Sequence, residues 1–242
     1  MVMIDRLIKS LKKKKVLLPK HIALDYNDYK TAGVKVPQEQ HFKNKLAKLK
    51  DFIDVQARYE IPVMTVFLLS TREKENPSFS SIIESISGFF EELAHEKRIH
   101  QNKIKISVLG KWYNLPSKIV DSIKKLSDET RDYDRFFLNF CVNYDGRDEI
   151  VDACKLIGKR IQAEKMDPEA LTKEVIKENL YSSYSLPPEL MIIMNGKKNV
   201  AGFLLWDCVD ASIYFSDKGW SDFSANDMIK AIAQYQKWKS LK

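Results

Sequence analysis

The sequence is poor in the residues that punctuate or cross-link a chain. Only 8 Gly and 8 Pro occur among 242 residues, and no Ser/Gly-rich or Pro-rich stretch interrupts them. Collagen-like, disordered and beads-on-a-linker designs are therefore excluded, and no internal repeat is present. The three cysteines, Cys141, Cys154 and Cys208, are odd in number, widely spaced and set in apolar segments. That pattern argues against a disulfide framework and a zinc knuckle, and predicts reduced thiols in a cytoplasmic protein. The longest apolar runs, PVMTVFLL and VAGFLLW, fall far short of the roughly 18 residues of a membrane-spanning helix. The N-terminus also lacks a signal-peptide cleavage pattern. Arginine is scarce, eight residues among 40 Lys+Arg. Planar bidentate recognition of phosphate prefers Arg, so the scarcity counts against nucleic acid as a partner and against a dedicated diphosphate pocket. No Walker-type loop, GxGxxG, GxSxG elbow or HExxH occurs. The four histidines, His21, His41, His95 and His100, show no metal-ligand spacing. His95 and His100 read as solvated residues near a helix end, and His21 as a structural residue bonding nearby backbone.

What is present is a hydrophobic fraction of 44% with a formal net charge of +7, the mark of a folded protein with a sizeable core. Residues 1–18 form a segment of their own, with Ile4, Leu7, Ile8 and Leu11 at helical spacing before the run Lys12 to Lys15. This predicts a short basic amphipathic helix, suited either to an anionic membrane surface or nucleic acid, or simply to packing one apolar stripe on the body. Residues 19–242 read as one domain. β-rich runs at 21–26, 62–69, 104–110, 135–142, 190–194 and 211–215 alternate with helical patterns at 39–58, 79–97, 115–130, 147–164 and 224–240. Such alternation predicts an α/β fold with a six-stranded, mainly parallel sheet covered on both faces. Ligands of such sheets bind beyond the carboxyl ends of the strands. The loops that matter are therefore Asn27–Gln38, Ser70–Pro77, Gly110–Pro116, Asn143–Asp148 and Asn195–Ala201. Among the arginines only Arg72 and Arg147 fall just past a strand's carboxyl end. They are candidate anion contacts, although Arg147 beside Asp148 and Glu149 equally suits an ion pair.

The segments PKHIAL (19–24), FLLSTREKENP (67–77), LGKWYNLP (109–116), LNFCVNYDGRDEIVDACK (138–155), NGKKNVAGFLLWD (195–207) and IYFSDKGWSDFSANDMIKAIAQYQ (213–236) occur in an order that resembles the cis-prenyltransferases. This is the undecaprenyl and dehydrodolichyl diphosphate synthase family, and the likeness covers nearly the whole chain. It implies a dimer of single-domain subunits, each with an elongated apolar tunnel walled in part by Ile82, Ile83, Ile86, Phe89 and Phe90. The stripe reads equally well as ordinary core. Active members join isopentenyl diphosphate to an allylic diphosphate with the help of magnesium.

The likeness also shows where the chain departs. Active relatives carry D-G-N-G-R-W after the first strand, with the Asp serving magnesium and the Gly and Arg cradling phosphate. Aligned from His21, the Asp position is Asn27, and the two Gly and the Arg positions are Asp28, Lys30 and Thr31. An amide keeps the outline of a carboxylate without its charge, and side chains stand where backbone N–H groups should approach phosphate. A one-residue shift puts Asp28 in the metal role. The family's F-S-T-E-N-W becomes Leu69, Ser70, Thr71, Arg72, Glu73 and Lys74, with Glu73 in place of the Asn. The block R-x-S-G-E followed by R-L-S-N-F becomes Ile193, Asn195, Gly196, Lys197, Asn199, Val200, Ala201, Gly202 and Phe203, and the Glu expected before L-Y-F is Ser212.

A charge-assisted hydrogen bond contributes about 1.5–3 kcal/mol, so losing several together costs orders of magnitude in turnover. The resemblance thus implies a non-catalytic subunit akin to the Nogo-B receptor type. It would work in a heterodimer or heterotetramer with a catalytic homologue, the magnesium lying in the partner's site and none of its own catalytic residues retained. Lys30, Arg72, Arg147 and Lys197 remain candidate anion contacts. Such accessory subunits in eukaryotes end in an R-x-G tail, which QKWKSLK lacks. The alternative is a self-sufficient homodimeric enzyme using Asp25 or Asp28 with Lys30, Arg72 and Lys197. A membrane-surface or nucleic-acid adaptor is a third reading. Cytoplasmic location, with peripheral membrane contact, is the expectation for the first.

Overall fold

A strand buried on both faces needs no polar alternation, and several strands of this chain have none. The computed structural model describes residues 17–28 and 38–241. Strand β1 (His21–Asp25), β2 (Val63–Ser70) and β5 (Leu190–Ile193) are buried at every position, as central parallel strands are. Strand β3 (Ile104–Leu109) alternates between buried and half-buried residues, β4 (Phe136–Tyr144) is nearly all buried, and β6 (Ser212–Phe215) is an exposed edge. Their order is β3-β4-β2-β1-β5-β6, with every neighbouring pair parallel. The chain lays β2 on one side of β1 and later returns to lay β5 on the other. The carboxyl ends of β1 and β5 therefore flank the point where the direction of winding reverses, the place where such sheets bind ligands.

Helices α1 (Gln38–Arg58), α2 (Phe79–Ala94), α3 (Lys97–Gln101), α4 (Ser117–Glu129), α5 (Gly146–Gln162), α6 (Lys173–Glu178) and α7 (Ala225–Ser240) complete the described chain. In α2 the residues Ile82, Ile83, Ile86, Phe89, Phe90 and Leu93 recur at three-to-four spacing and are buried. Phe90 and Phe89 set their rings 5.3 and 6.1 Å from that of Phe140 on β4. Burying each such ring contributes about 1.5–3 kcal/mol, so this stripe is part of the core. Helix α7 starts at a reciprocal cap in which Ser224 and Asp227 satisfy each other's backbone N–H groups.

The second face of the sheet is closed largely without helix. Residues 201–210 form a run of turns that drives Phe203 and Leu204 against Ala23, Phe67, Tyr144, Met191 and Ile193. Gly146, at the start of α5, donates its N–H to the Gly202 carbonyl at 3.0 Å. A Cβ on Gly146 would lie 2.2 Å from that oxygen, so the Gly of the NYDGR segment is required by close packing.

Several boundaries differ from the sequence pattern. The helix predicted over 79–97 ends at Ala94, and the separate short helix α3 begins only at Lys97. His100 explains the break, and it is not the solvated residue its position suggests. Its Nε2 donates to the Ala94 carbonyl at 2.7 Å, and its Nδ1 lies 2.9 Å from the Tyr133 hydroxyl. A helix end leaves carbonyls without partners, and here a side chain supplies one. His95 is exposed as predicted. Strand β4 runs on to Tyr144, with Asn143 at φ 50°. Short 3-10 turns at Thr71–Glu75 and Trp112–Asn114 fill two of the predicted loops, and α6 was not foreseen. The basic segment predicted over 1–18 lies almost wholly outside the described residues, as do Lys30 and Thr31.

Candidate functional site

Asp25 is the last residue of β1 and pairs in register with Ile193 of β5 and Phe67 of β2. Its side chain is fully buried, which for an aspartate demands a partner. The partner comes from a residue 172 positions away, Lys197, whose Nζ donates to Asp25 Oδ2 at 2.9 Å. The same ammonium group donates to the Asn27 carbonyl at 3.1 Å, and the Asn27 N–H donates to Asp25 Oδ1 at 3.1 Å. Lys197 reaches this position because the chain turns sharply after β5 through Asn195 and Gly196, at φ 63° and 66°. Burial raises the Asp25 pKa, and the charge and hydrogen bond of Lys197 act against that rise.

A second lysine approaches from α1. Lys45 is fully buried, donates to the Asp28 carbonyl at 2.5 Å, and lies 5.1 Å from the centre of the Tyr26 ring. Tyr26 in turn donates its hydroxyl to the Lys45 carbonyl at 2.7 Å. Burial lowers the Lys45 pKa to about 7, opposed by the charges of Asp28 and Asp25. Sequence reasoning passed over Lys45, although a signal existed. Phe42, Leu46, Leu49, Phe52 and Ile53 define the buried stripe of α1, and Lys45 falls on it.

The residues singled out in the sequence are only partly brought together. Asn27 is half-buried and its Oδ1 accepts from the Ser70 N–H at 2.9 Å, tying the end of β1 to the end of β2. Glu73 accepts from Asn76 Nδ2 at 2.8 Å, while Arg72 is exposed on the turn beside it. Ile193 is wholly buried in the sheet. Asn199 is exposed and accepts from the Ala201 N–H at 2.9 Å, and Ala201 sits at φ 48°. Ser212 begins β6, its N–H given to the Glu189 carbonyl. Arg147 is exposed, and neither predicted ion-pair partner goes to it. Asp148 pairs with Lys111 at 3.5 Å, and Glu149 turns inward to accept from the Tyr144 hydroxyl at 2.5 Å. The register of α5 causes this, since Glu149 falls on its buried face.

Magnesium takes six oxygens and favours free carboxylates. Both oxygens of Asp25 are already engaged, Asn27 offers a neutral amide held by Ser70, and position 212 has a hydroxyl. Among the described residues no group of three or more His, Cys, Asp or Glu could hold a metal ion. These residues do not fit magnesium. His21 lies further down β1, where its Nδ1 donates to the Leu186 carbonyl at 2.5 Å and its Nε2 lies 2.8 Å from Thr65 Oγ1. That is the structural role its sequence position suggests, and burial lowers its pKa to about 4. A separate groove of about 690 Å³ opens between α5, α6 and the 201–210 turns, lined by Ile150, Lys177, Leu205, Trp206 and Val209 among others. It contains none of the residues around Asp25.

A parallel sheet wound in two directions, with polar side chains gathered at the reversal, defines the class of protein. The family model described as "Putative undecaprenyl diphosphate synthase" matches residues 30–240. The chain belongs to this cis-prenyltransferase family. It is 28% identical over 227 residues to a tritrans,polycis-undecaprenyl-diphosphate synthase (geranylgeranyl-diphosphate specific) of Methanocaldococcus jannaschii, covering 91% of this chain and 81% of that one. It is 32% identical over 223 residues to an isoprenyl transferase of Prochlorococcus marinus, covering 90% and 81%. Among solved structures, lavandulyl diphosphate synthase from Lavandula x intermedia, in complex with dimethylallyl diphosphate, superposes with a TM-score of 0.86 at 20% identity, covering 90% of this chain and 95% of that one. That likeness bears out the six-stranded α/β fold. No described helix is long and apolar enough to cross a membrane.

Proposed function

We propose that this chain serves cis-polyprenyl diphosphate synthesis as a subunit whose own cleft is non-catalytic, beside a catalytic homologue that holds the magnesium. The observation that carries the reading is the ion pair between Lys197 and Asp25, with Lys197 also on the Asn27 carbonyl. It fills the carboxyl end of β1, where an allylic diphosphate and its metal ion would need a free carboxylate and open backbone N–H groups. The arrangement can support a sheet and the core beside it, and it engages both oxygens of Asp25, so that among the described residues no cluster of carboxylates is offered to a metal.

The comparisons favour the other reading, a self-sufficient cis-prenyltransferase condensing isopentenyl diphosphate with an allylic diphosphate, because the relatives named are synthases and transferases. In that reading Asp25 or Asp28 acts with Lys30, Arg72 and Lys197, and the ion pair opens when substrate arrives. One experiment separates the two. The purified chain is incubated with magnesium, isopentenyl diphosphate and farnesyl or geranylgeranyl diphosphate, alone and after co-expression with a catalytic relative from the same genome. Product only from the co-purified pair is expected; robust turnover by the chain alone establishes the self-sufficient enzyme.

A further inference from the structure

The oxygens gathered at the end of β1 already face ammonium groups. Asp25 Oδ2 and the Asn27 carbonyl both accept from Lys197, and the next carbonyl, that of Asp28, accepts from Lys45. A carboxylate beside successive main-chain carbonyls is a donor set for a hard cation. An ammonium group presents three N–H donors to such a set, and one carried on a side chain cannot diffuse away. The two lysines arrive from separate parts of the fold, Lys45 from α1 and Lys197 from the turn after β5. Lys45 feels the charges of Asp28, Asp25, Glu73 and Lys197, and Asp25 feels those of Lys197 and Lys45. A divalent ion entering here would meet oxygens that already accept from two ammonium groups.

We infer that Lys197, seconded by Lys45, is a tethered replacement for a divalent cation, so that the chain's own ammonium groups hold the end of β1 and no metal ion is taken up there. The inference deepens the non-catalytic reading and rests on it in one respect, that the cleft does not work through a metal of its own.

The test uses the full chain and Mn2+ as a paramagnetic probe. Free Mn2+ is counted by electron paramagnetic resonance, and denaturant unfolding is followed for wild type, Lys197→Met, Asp25→Asn and the double variant. Wild type is expected to bind no Mn2+. Lys197→Met should lower the folding equilibrium constant more than about tenfold, because it leaves a buried carboxylate unpaired. The double variant should lose much less than the sum of the singles. Mn2+ should raise the unfolding midpoint of Lys197→Met and leave that of the double variant unchanged. Stoichiometric Mn2+ uptake by wild type, additive losses at positions 25 and 197, or no gain of Mn2+ affinity in Lys197→Met each overturn the inference. Should Lys197→Met fail to fold, Mn2+ counting on wild type and the stability of the double variant against Asp25→Asn decide it. Turnover by the chain alone would sink the non-catalytic reading and leave these four unfolding curves as they are, so the two failures are distinguishable.

Discussion

At the end of β4 the chain buries Glu149 and Asp207, and at the end of β1 it buries Asp25; the two corners satisfy their acids differently. Around β4 each carboxylate has several partners drawn from distant segments. Glu149 accepts from the Tyr144 hydroxyl at 2.5 Å and the Ser182 N–H at 3.1 Å. Asp207 accepts from Ser182 Oγ at 2.6 Å and Lys177 Nζ at 2.7 Å, and Lys177 also reaches the Ser182 carbonyl at 2.8 Å. This is a closed polar network that fixes how β4, α5, α6 and the 201–210 turns meet. Around β1 the buried aspartate has one side-chain partner, Lys197, and one main-chain partner, the Asn27 N–H, while Lys197 and Lys45 also donate to main-chain carbonyls. The first arrangement is architecture, built on the NYDGRDEI segment. The second stands at the reversal of winding, between the carboxyl ends of β1 and β5. Burial of charge is thus a poor guide to function until its partners are counted.

The largest effect expected from breaking the comparison is at the network. Asp207→Ala leaves Lys177 without its buried partner and should cost about 3–5 kcal/mol, measured by denaturant unfolding. A loss below about 1 kcal/mol would put the two corners on the same footing. Next comes pH. His21 is neutral and buried with a folded pKa of about 4, below the unfolded value, so the unfolded chain binds the extra proton first. Stability is full above pH 6.5 and should fall by up to roughly 3 kcal/mol as pH drops toward 4. A His21→Gln variant should flatten that limb of the stability profile. Lys197→Met at the other corner should cost about 2 kcal/mol, less than Asp207→Ala because one charge and not a network loses its contacts. Ser224→Ala, at the cap of α7, should cost about 1 kcal/mol and leave both corners untouched. The smallest effect is expected from Asn27→Asp. The new carboxylate can still accept from the Ser70 N–H, and it should yield no turnover in the chain alone, since the Lys197–Asp25 pair still fills the corner. Polyprenyl product from that single variant would refute the reading of the cleft.

Much of the fold could be read before any coordinates, because periodicity records burial. All six strands lie within a residue or two of the runs that suggested them, for a short, β-rich apolar run such as IAL, set between helical patterns, suits a strand buried on both faces. What could not be read was long-range. Nothing local in NGKKN says that its first lysine, rather than its second, will reach back 172 residues to Asp25. Lys198 instead pairs on the surface with Asp217 at 2.9 Å. The break between α2 and α3 was hidden for a similar reason, since Ala94 to Lys97 contains neither Gly nor Pro and the interruption is secured by His100. Asp25 itself carried a signal, a carboxylate closing an otherwise apolar strand.

The order of strands has a consequence for how the chain acquires its shape during synthesis. The first strand of the described chain is a central one, and its second neighbour, β5, is encoded only at Leu190–Ile193. Until Leu190–Ile193 has left the ribosome, one edge of β1 stays unsatisfied and sticky. A nascent-chain arrest series should therefore show protease protection of β1 arriving late, in one step, after residue 193 has cleared the exit tunnel.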